Sequence, residues 1–293
     1  MNILRFTVSS SNHGMRLLAF LREHISEANS VKSLKRAIEA GSCSINGRIE
    51  RFSSKILAAG DVVELTLSDE KTRPCCITVL YEDADLIICD KPAGIVSENS
   101  EFNRHLPSYR GELQLVHRLD KDTSGIIVAA KNNKTKEKLV DLFAKRKVHK
   151  TYLALVDGVV KKKEGKIDNF LAKKSSYQGQ SIWGSVPKGK GVIALTKWRC
   201  LKRGKSASLL LCEPQTGRTH QLRVHLSEMH HPILGDYQYC QKFLCTYRPQ
   251  RQLLHAFKIQ FCHPFTKELI TIEAPLPSDF KHALKILGLP DKF

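Results

Sequence analysis

Two hydrophobic rhythms follow one another along the chain, and the change between them divides it. Between residues 13 and 67 the apolar positions first recur at helical spacing. Arg16-Leu17-Leu18-Ala19-Phe20-Leu21 starts one helix, and Val31, Leu34, Ala37 and Ile38 form one stripe of a second. Ser30 stands where a hydroxyl would cap that second helix. Gly41 stands where a left-handed residue would end it. The rhythm then shortens to strand length. Cys43-Ser44-Ile45 and Arg48-Ile49 flank Asn46-Gly47, a dipeptide suited to a two-residue hairpin turn. Gly60-Asp61 leads into another strand, Val62-Val63-Glu64-Leu65.

Residues 68–74 are polar and charged and read as a linker. Beyond them strand-like runs dominate, at 77–80, 86–89, 126–130, 152–156, 207–212, 257–261 and 269–272. The last two flank a hairpin loop, His263-Pro264-Phe265-Thr266-Lys267. Helical spacing returns at 134–146, where Leu139, Val140 and Phe143 share a side, and at 217–229. The stretch YQGQSIWGSVPKGKGV (177–192), rich in Gly, Ser and Lys, reads as a mobile loop holding Trp183. Strands outnumber helices and many are neighbours in sequence, which favours an α+β fold over a doubly wound sheet. The expected domains are 1–70 and 71–293.

With 293 residues and 42% hydrophobic content, the chain can bury a large core plus a small one. No run approaches the ~18 apolar residues of a membrane span, and the N-terminus lacks a signal-peptide core. A cytoplasmic protein with nine reduced cysteines is expected. The balance of 47 basic to 29 acidic residues, net +18, argues for a polyanionic partner, nucleic acid first. Residues 1–70 contribute only +1 of this, whereas 134–174 hold 13 basic and 5 acidic residues. A solvated, solubilising surface remains the plain alternative.

Candidate chemistry concentrates in HRLDKDTS (117–124), a charged run set directly against the apolar run Gly125-Ile126-Ile127-Val128-Ala129-Ala130. Either this is an ordinary solvated turn, or the buried strand is a rigid mount for a reactive group. Asp122, beside Thr123 and Ser124, suits a turn-capping role, which leaves Asp120 as the candidate reactive carboxylate.

Other motifs bear on that choice. HRLDKDTSG, KTYLALVDG (150–158), PQTGRTHQLRVHL (214–226) and HPILGDYQY (231–239) occur in this order, with DKPAGIV (90–96), LLHA (253–256) and APLP (274–277) around them. Together they resemble the RluA family of RNA pseudouridine synthases over roughly residues 75–280. Residues 13–67, with their INGR…GD ending, resemble the S4 RNA-binding domain. The resemblance implies a pseudouridine synthase fold: a central, mostly antiparallel mixed sheet flanked by helices and loops, with a small S4-like domain in front. It implies isomerisation of uridine to pseudouridine in structured RNA. Large-subunit ribosomal RNA is the preferred target and transfer RNA the alternative.

The resemblance also assigns roles. Asp120 becomes the catalytic carboxylate, acting either on C1′ or on a ribose proton, and Arg223 the cation beside it. Tyr152 stacks on the extruded base and is the candidate for taking the C5 proton. Arg118 and His117 would hold the opened helix, with a structural hydrogen bond equally open for His117. Arg218, His220 and Lys150 would meet the RNA, Lys145, Arg146 and Lys147 its phosphates, and Lys32, Lys35 and Arg36 would line the S4-like surface. Residues 97–115 lack the short glycine-rich stretch expected after DKPAGIV, which leaves the substrate inference less constrained. The reaction needs neither redox chemistry nor external energy. No Walker loop, GxGxxG or zinc quartet is present, so no metal or nucleotide cofactor is expected. His220, His225, His230 and His231 lack HExxH spacing. A monomer is expected. A non-catalytic RNA-binding assembly factor and a nucleobase glycosylase are the alternatives from other classes.

Overall fold

The computed structural model describes residues 2–25, 31–39, 41–67, 76–106, 109, 111–177 and 180–290. The chain forms two compact units, one of Met1–Arg73 with Ser176–Ser181 and a larger one of Pro74–Ser175 and Ile182–Phe293.

The smaller unit contains β1 (Asn2–Thr7), α1 (Leu17–His24), α2 (Val31–Glu39), β2 (Cys43–Ile45), β3 (Arg48–Ile49) and β4 (Val62–Leu67). Its four strands run in the order β1-β4-β2-β3, antiparallel throughout. Leu17, Phe20 and Leu21 of α1 meet Leu34 and Ile38 of α2 over Val63 and Leu65 of β4. Of the α2 stripe read from the sequence, Leu34, Ala37 and Ile38 pack, while Val31 is exposed. At the end of α2 the Ser42 N–H donates to the Ala37 carbonyl and the Gly41 N–H to the Ile38 carbonyl, which closes the helix as expected. Asn46 and Gly47, at φ 53° and 73°, form the two-residue turn between β2 and β3. The Ser30 cap lies outside the described residues.

The larger unit contains β5 (Thr78–Glu82), β6 (Leu86–Lys91), α3 (Asn99–Arg104), β7 (Gln114–Leu115), β8 (Ser124–Ala130), α4 (Asn133–Ala144), β9 (His149–Asp157), β10 (Glu164–Tyr177), β11 (Gln180–Val186), β12 (Val192–Arg203), β13 (Ala207–Pro214), α5 (Gln221–Glu228), β14 (Leu254–Cys262), β15 (Leu269–Glu273) and α6 (Ser278–Ile286). Eleven strands make one sheet, ordered β11-β10-β12-β13-β9-β14-β8-β6-β5, with β15 also on β14 and β7 on β8. From β10 through β5, and for β15 and β7, the pairings are antiparallel except β14 with β8, which run parallel. This is the mixed α+β architecture expected. Among the described residues no helix is long and apolar enough to cross a membrane.

The central strands read as unbroken apolar runs because both faces are covered. Leu153, Leu155 and Leu209 pack with Phe280 and Leu284 of α6, while Ala154, Val156, Leu210 and Cys212 face Leu222 and Leu226 of α5. Along β8, Ile127 and Ala129 meet Phe102 of α3, and Ile126, Val128 and Ala130 meet Leu139 of α4. Helix α4 begins at an Asn132 side chain that accepts the Thr135 N–H, and stops short of residue 146 because Arg146 turns left-handed, φ 56°.

The expected loop at 177–192 is instead mostly strand, split between the ends of β10 and β12 and the whole of β11. Its two lysines and Gly189 sit toward solvent, Gly184 is buried, and Trp183 packs on Leu171, Ala194 and Val224. So few inward side chains leave no periodic apolar signal.

Candidate active site

Asp120 lies in a turn just ahead of β8, not on the strand itself. The Thr123 N–H donates to the Asp120 carbonyl at 3.0 Å and closes that turn. Neighbouring segments fix its backbone. The buried Ser97 hydroxyl donates to the Leu119 carbonyl and accepts the Leu119 N–H, at 2.8 and 3.1 Å. The Gly94 N–H donates to the Lys121 carbonyl at 2.8 Å. Lys91, wholly buried, spreads its three ammonium donors over the carbonyls of Pro92, Ile95 and Lys121 at 3.0–3.1 Å. Burial pulls that amine down to about 7, against the opposing pull of Asp122 and Asp120. From the other side Arg251 donates to the Asp122 carbonyl and Gln252 to the Thr123 hydroxyl.

One glycine makes the mount possible. A Cβ on Gly125, φ +107°, would stand 2.3 Å from the Ala256 carbonyl oxygen, so only glycine lets β8 lie against β14 here.

Arg223 approaches Asp120 from α5. Residue 220 is left-handed, φ 55°, and this starts the helix at Gln221 instead of 217. Every residue from 221 to 226 is buried, so the segment is enclosed rather than amphipathic. The Arg223 guanidinium donates through Nη1 to Oδ2 of Asp120 at 3.2 Å. Its Nε and Nη2 form a two-pronged pair with Asp236 at 2.7 and 2.8 Å, and Nη2 also donates to Gln238 at 2.5 Å. The guanidinium lies over the Tyr239 ring, 5.0 Å from its centre. Burial opposes its charge, but Asp236 first and Asp120 after it more than offset this, so its pKa is pushed up. The sequence pattern points to one partner for Arg223. The structure gives it two carboxylates, and the stronger geometry belongs to Asp236.

Tyr152, on β9, is half-buried between the cores under α3 and α5. Burial, and after it the charge of Asp120, pushes its phenol above the usual tyrosine range. That keeps the hydroxyl protonated and favours a stacking surface over a ready base. His220 sits in the same group, its Nε2 3.9 Å from Oδ2 of Asp120 and its Nδ1 2.8 Å from the Tyr239 hydroxyl.

A family profile described as RNA pseudouridylate synthase matches residues 85–228, which span this turn, Tyr152 and α5. An uncharacterized RNA pseudouridine synthase of Synechocystis is 33% identical over 96% of this chain and 91% of its own length. The chain belongs to the RNA pseudouridine synthase family. A ribosomal large subunit pseudouridine synthase D of Haemophilus influenzae is 31% identical over 96% of the chain and 93% of its own. Among solved structures, human RNA pseudouridylate synthase domain containing 4 is 27% identical, with a TM-score of 0.61, over 73% of this chain and 94% of that one. The protein is an RNA pseudouridine synthase, an isomerase that acts on RNA.

The synthase distributes the remaining candidates unevenly. Arg118 is exposed. Arg218 is half-buried and donates through Nε to the Ile193 carbonyl at 3.0 Å. Lys150 is half-buried near the Phe143 ring, and burial lowers its pKa. His117 is structural, since its Nε2 accepts the Val128 N–H at 3.0 Å and its ring stacks on Phe143. Burial, then the charge of Lys150, pushes that ring down to about 3, so it stays neutral. Lys35 is exposed on α2, while the side chains of Lys32 and Arg36 lie outside the described residues.

Sequence reasoning missed Lys91, Asp236 and Tyr239. The first lies in DKPAGIV and the others in HPILGDYQY, so the motifs were seen and the roles were not. A buried arginine on α5 needs a buried carboxylate, and that demand was the available signal.

One group among the described residues has its possible metal ligands within 4.8 Å of one another: Asp83, Asp85 and His263. The chemistry there is internal. His263 Nδ1 accepts the N–H groups of Phe265 and Thr266, which puts its proton on Nε2, 3.3 Å from Asp83. Asp83 in turn accepts the N–H groups of Asp85 and Leu86 and the Tyr81 hydroxyl. A metal would have to displace that proton.

Proposed function

We propose that Asp120 is the reacting carboxylate of this synthase and that its RNA is large-subunit ribosomal RNA. The observation that carries the first part is the single bond from buried Arg223 to Oδ2 of Asp120. It fixes the carboxyl against a buried cation by a charge-assisted hydrogen bond. Isomerisation breaks the N1–C1′ bond, joins C5 to C1′, releases the C5 proton and adds one at N1. Attack of the carboxylate on C1′ and removal of a ribose proton both begin from this same group. Tyr152 stacks on the base, which must first leave its helix at a cost of a few kcal/mol.

The ribosomal target rests on the name of the Haemophilus influenzae relative and on the net charge of +18. The small N-terminal unit is read as S4-like, with Lys32, Lys35 and Arg36 toward RNA. Arg218, Lys145, Arg146, Lys147 and Lys150 are read as contacts to the RNA backbone, and Arg118 as holding the opened helix. The enzyme is read as a cytoplasmic monomer that needs no cofactor, since the reaction consumes neither electrons nor external energy.

The test uses ribosomal and transfer RNA transcripts labelled with tritium at uridine C5. Turnover should release tritium without loss of RNA mass, and faster from the ribosomal transcript. Asp120→Asn should fold and release none. Full turnover by Asp120→Asn sinks the assignment, and preference for transfer RNA sinks the target.

A further inference from the structure

The hydrogen-bond chain behind Asp120 has a defined direction. The Trp183 backbone N–H donates to the Tyr239 hydroxyl oxygen at 3.1 Å. That hydroxyl lies 2.8 Å from Nδ1 of His220 and has no other acceptor among the described residues. Its proton therefore points at Nδ1, which leaves the ring proton on Nε2. Nε2 is the atom that faces Oδ2 of Asp120, 3.9 Å away, and a carboxylate oxygen wants a donor there. Both ends of the chain thus ask for the same tautomer.

Two further facts support a purpose. Burial, and then the nearby Arg223 charge, lowers the His220 pKa, which favours the neutral ring. The residue also holds a left-handed backbone, φ 55°, which an L side chain seldom adopts outside a constrained site. That conformation aims the ring at Asp120 as α5 begins. Contacts of Asp120 with described side chains all fall on Oδ2, from Arg223 at 3.2 Å and His220 at 3.9 Å.

We propose that His220 is a positioning residue. Held as the Nε2–H tautomer by Tyr239, it joins Arg223 on Oδ2 and leaves Oδ1 as the oxygen presented to the sugar. This rests on the role proposed above for Asp120 and replaces the expectation that His220 contacts RNA. A shift of under about 1 Å brings Nε2 into hydrogen-bond range.

Steady-state tritium release and histidine ¹⁵N spectra test it on the full chain. Asparagine accepts a left-handed backbone readily, so His220→Asn should keep the parental melting temperature. Its kcat should drop about tenfold or more, the cost of losing a hydrogen bond to a charged group, with KM nearly unchanged. His220→Gln, whose longer side chain carries an amide donor to the position of Nε2 where asparagine's falls short, should recover part of kcat. Tyr239→Phe should shift the His220 ¹⁵N signals away from the pure Nε2–H pattern and lower kcat. Parental kcat in His220→Asn, a loss confined to KM, or an unmoved tautomer in Tyr239→Phe overturns the proposal. An inactive Asp120→Asn beside a parental His220→Asn removes the His220 role alone. An active Asp120→Asn removes both readings.

Discussion

At the scale of single residues, the site is a competition of two carboxylates for one cation. Arg223 gives Asp236 two bonds and Asp120 one. The side chains of Arg223 and Asp236 are 8% and 2% exposed, that of Asp120 30%. The two acids should therefore respond differently to removal. Asp236→Ala strands a buried guanidinium and should cost about 3–5 kcal/mol in urea unfolding. Asp120→Asn leaves the Asp236 pair whole, and its unfolding midpoint should stay close to the parental one. Asp120 and Arg223 could be named from sequence because each stands in a distinctive local run. Asp236 could not be given its role, because that role is a contact with a side chain on another element.

At the scale of elements, β8 is the part on which the site depends. It lies between β6 and β14, and its parallel pairing to β14 involves only His255 with Ser124 and Ala256 with Gly125. The turn carrying Asp120 hangs from this end. Gly125→Ala would force a Cβ into the Ala256 carbonyl at a backbone angle that alanine resists. A loss of about 2–3 kcal/mol is expected from the strain alone, read as a lower melting temperature, together with lower kcat from a displaced Asp120. If Gly125→Ala melts and turns over like the parent, β8 and β14 are not as close as described. Strands β6, β8, β9, β13 and β14 were legible because burial on both faces leaves unbroken apolar runs. The strands from 164 to 203 were not, because a sheet edge with one wet face carries lysines and glycines at strand positions.

At the scale of the whole molecule, buried neutral histidines set the response to acid. His225 and His255 are fully buried, and burial pushes each ring down to about 4. His225 lies between Thr196 and Asn169, and His255 against Ser124. Between about pH 6.5 and 4 the unfolded chain takes up protons at both rings while the folded chain does not. Stability should therefore fall as pH drops through this window, by up to about 1.4 kcal/mol per pH unit for each ring. Unfolding free energies measured across the window should reveal it, and His255→Gln should reduce the slope by one ring's share. A flat profile would mean that these rings bind protons in the fold. The sequence by itself determined the order of most elements, the family and the residues proposed to react, because periodicity, turn chemistry and motifs are local properties of the chain. Only the tertiary structure decided which carboxylate holds Arg223 most tightly, that Lys91 is buried beneath the turn, and that His220 sits between the Tyr239 hydroxyl and Asp120. Those are contacts between distant segments, 103 residues apart for Arg223 and Asp120, and no local pattern encodes which partner a buried charge will meet.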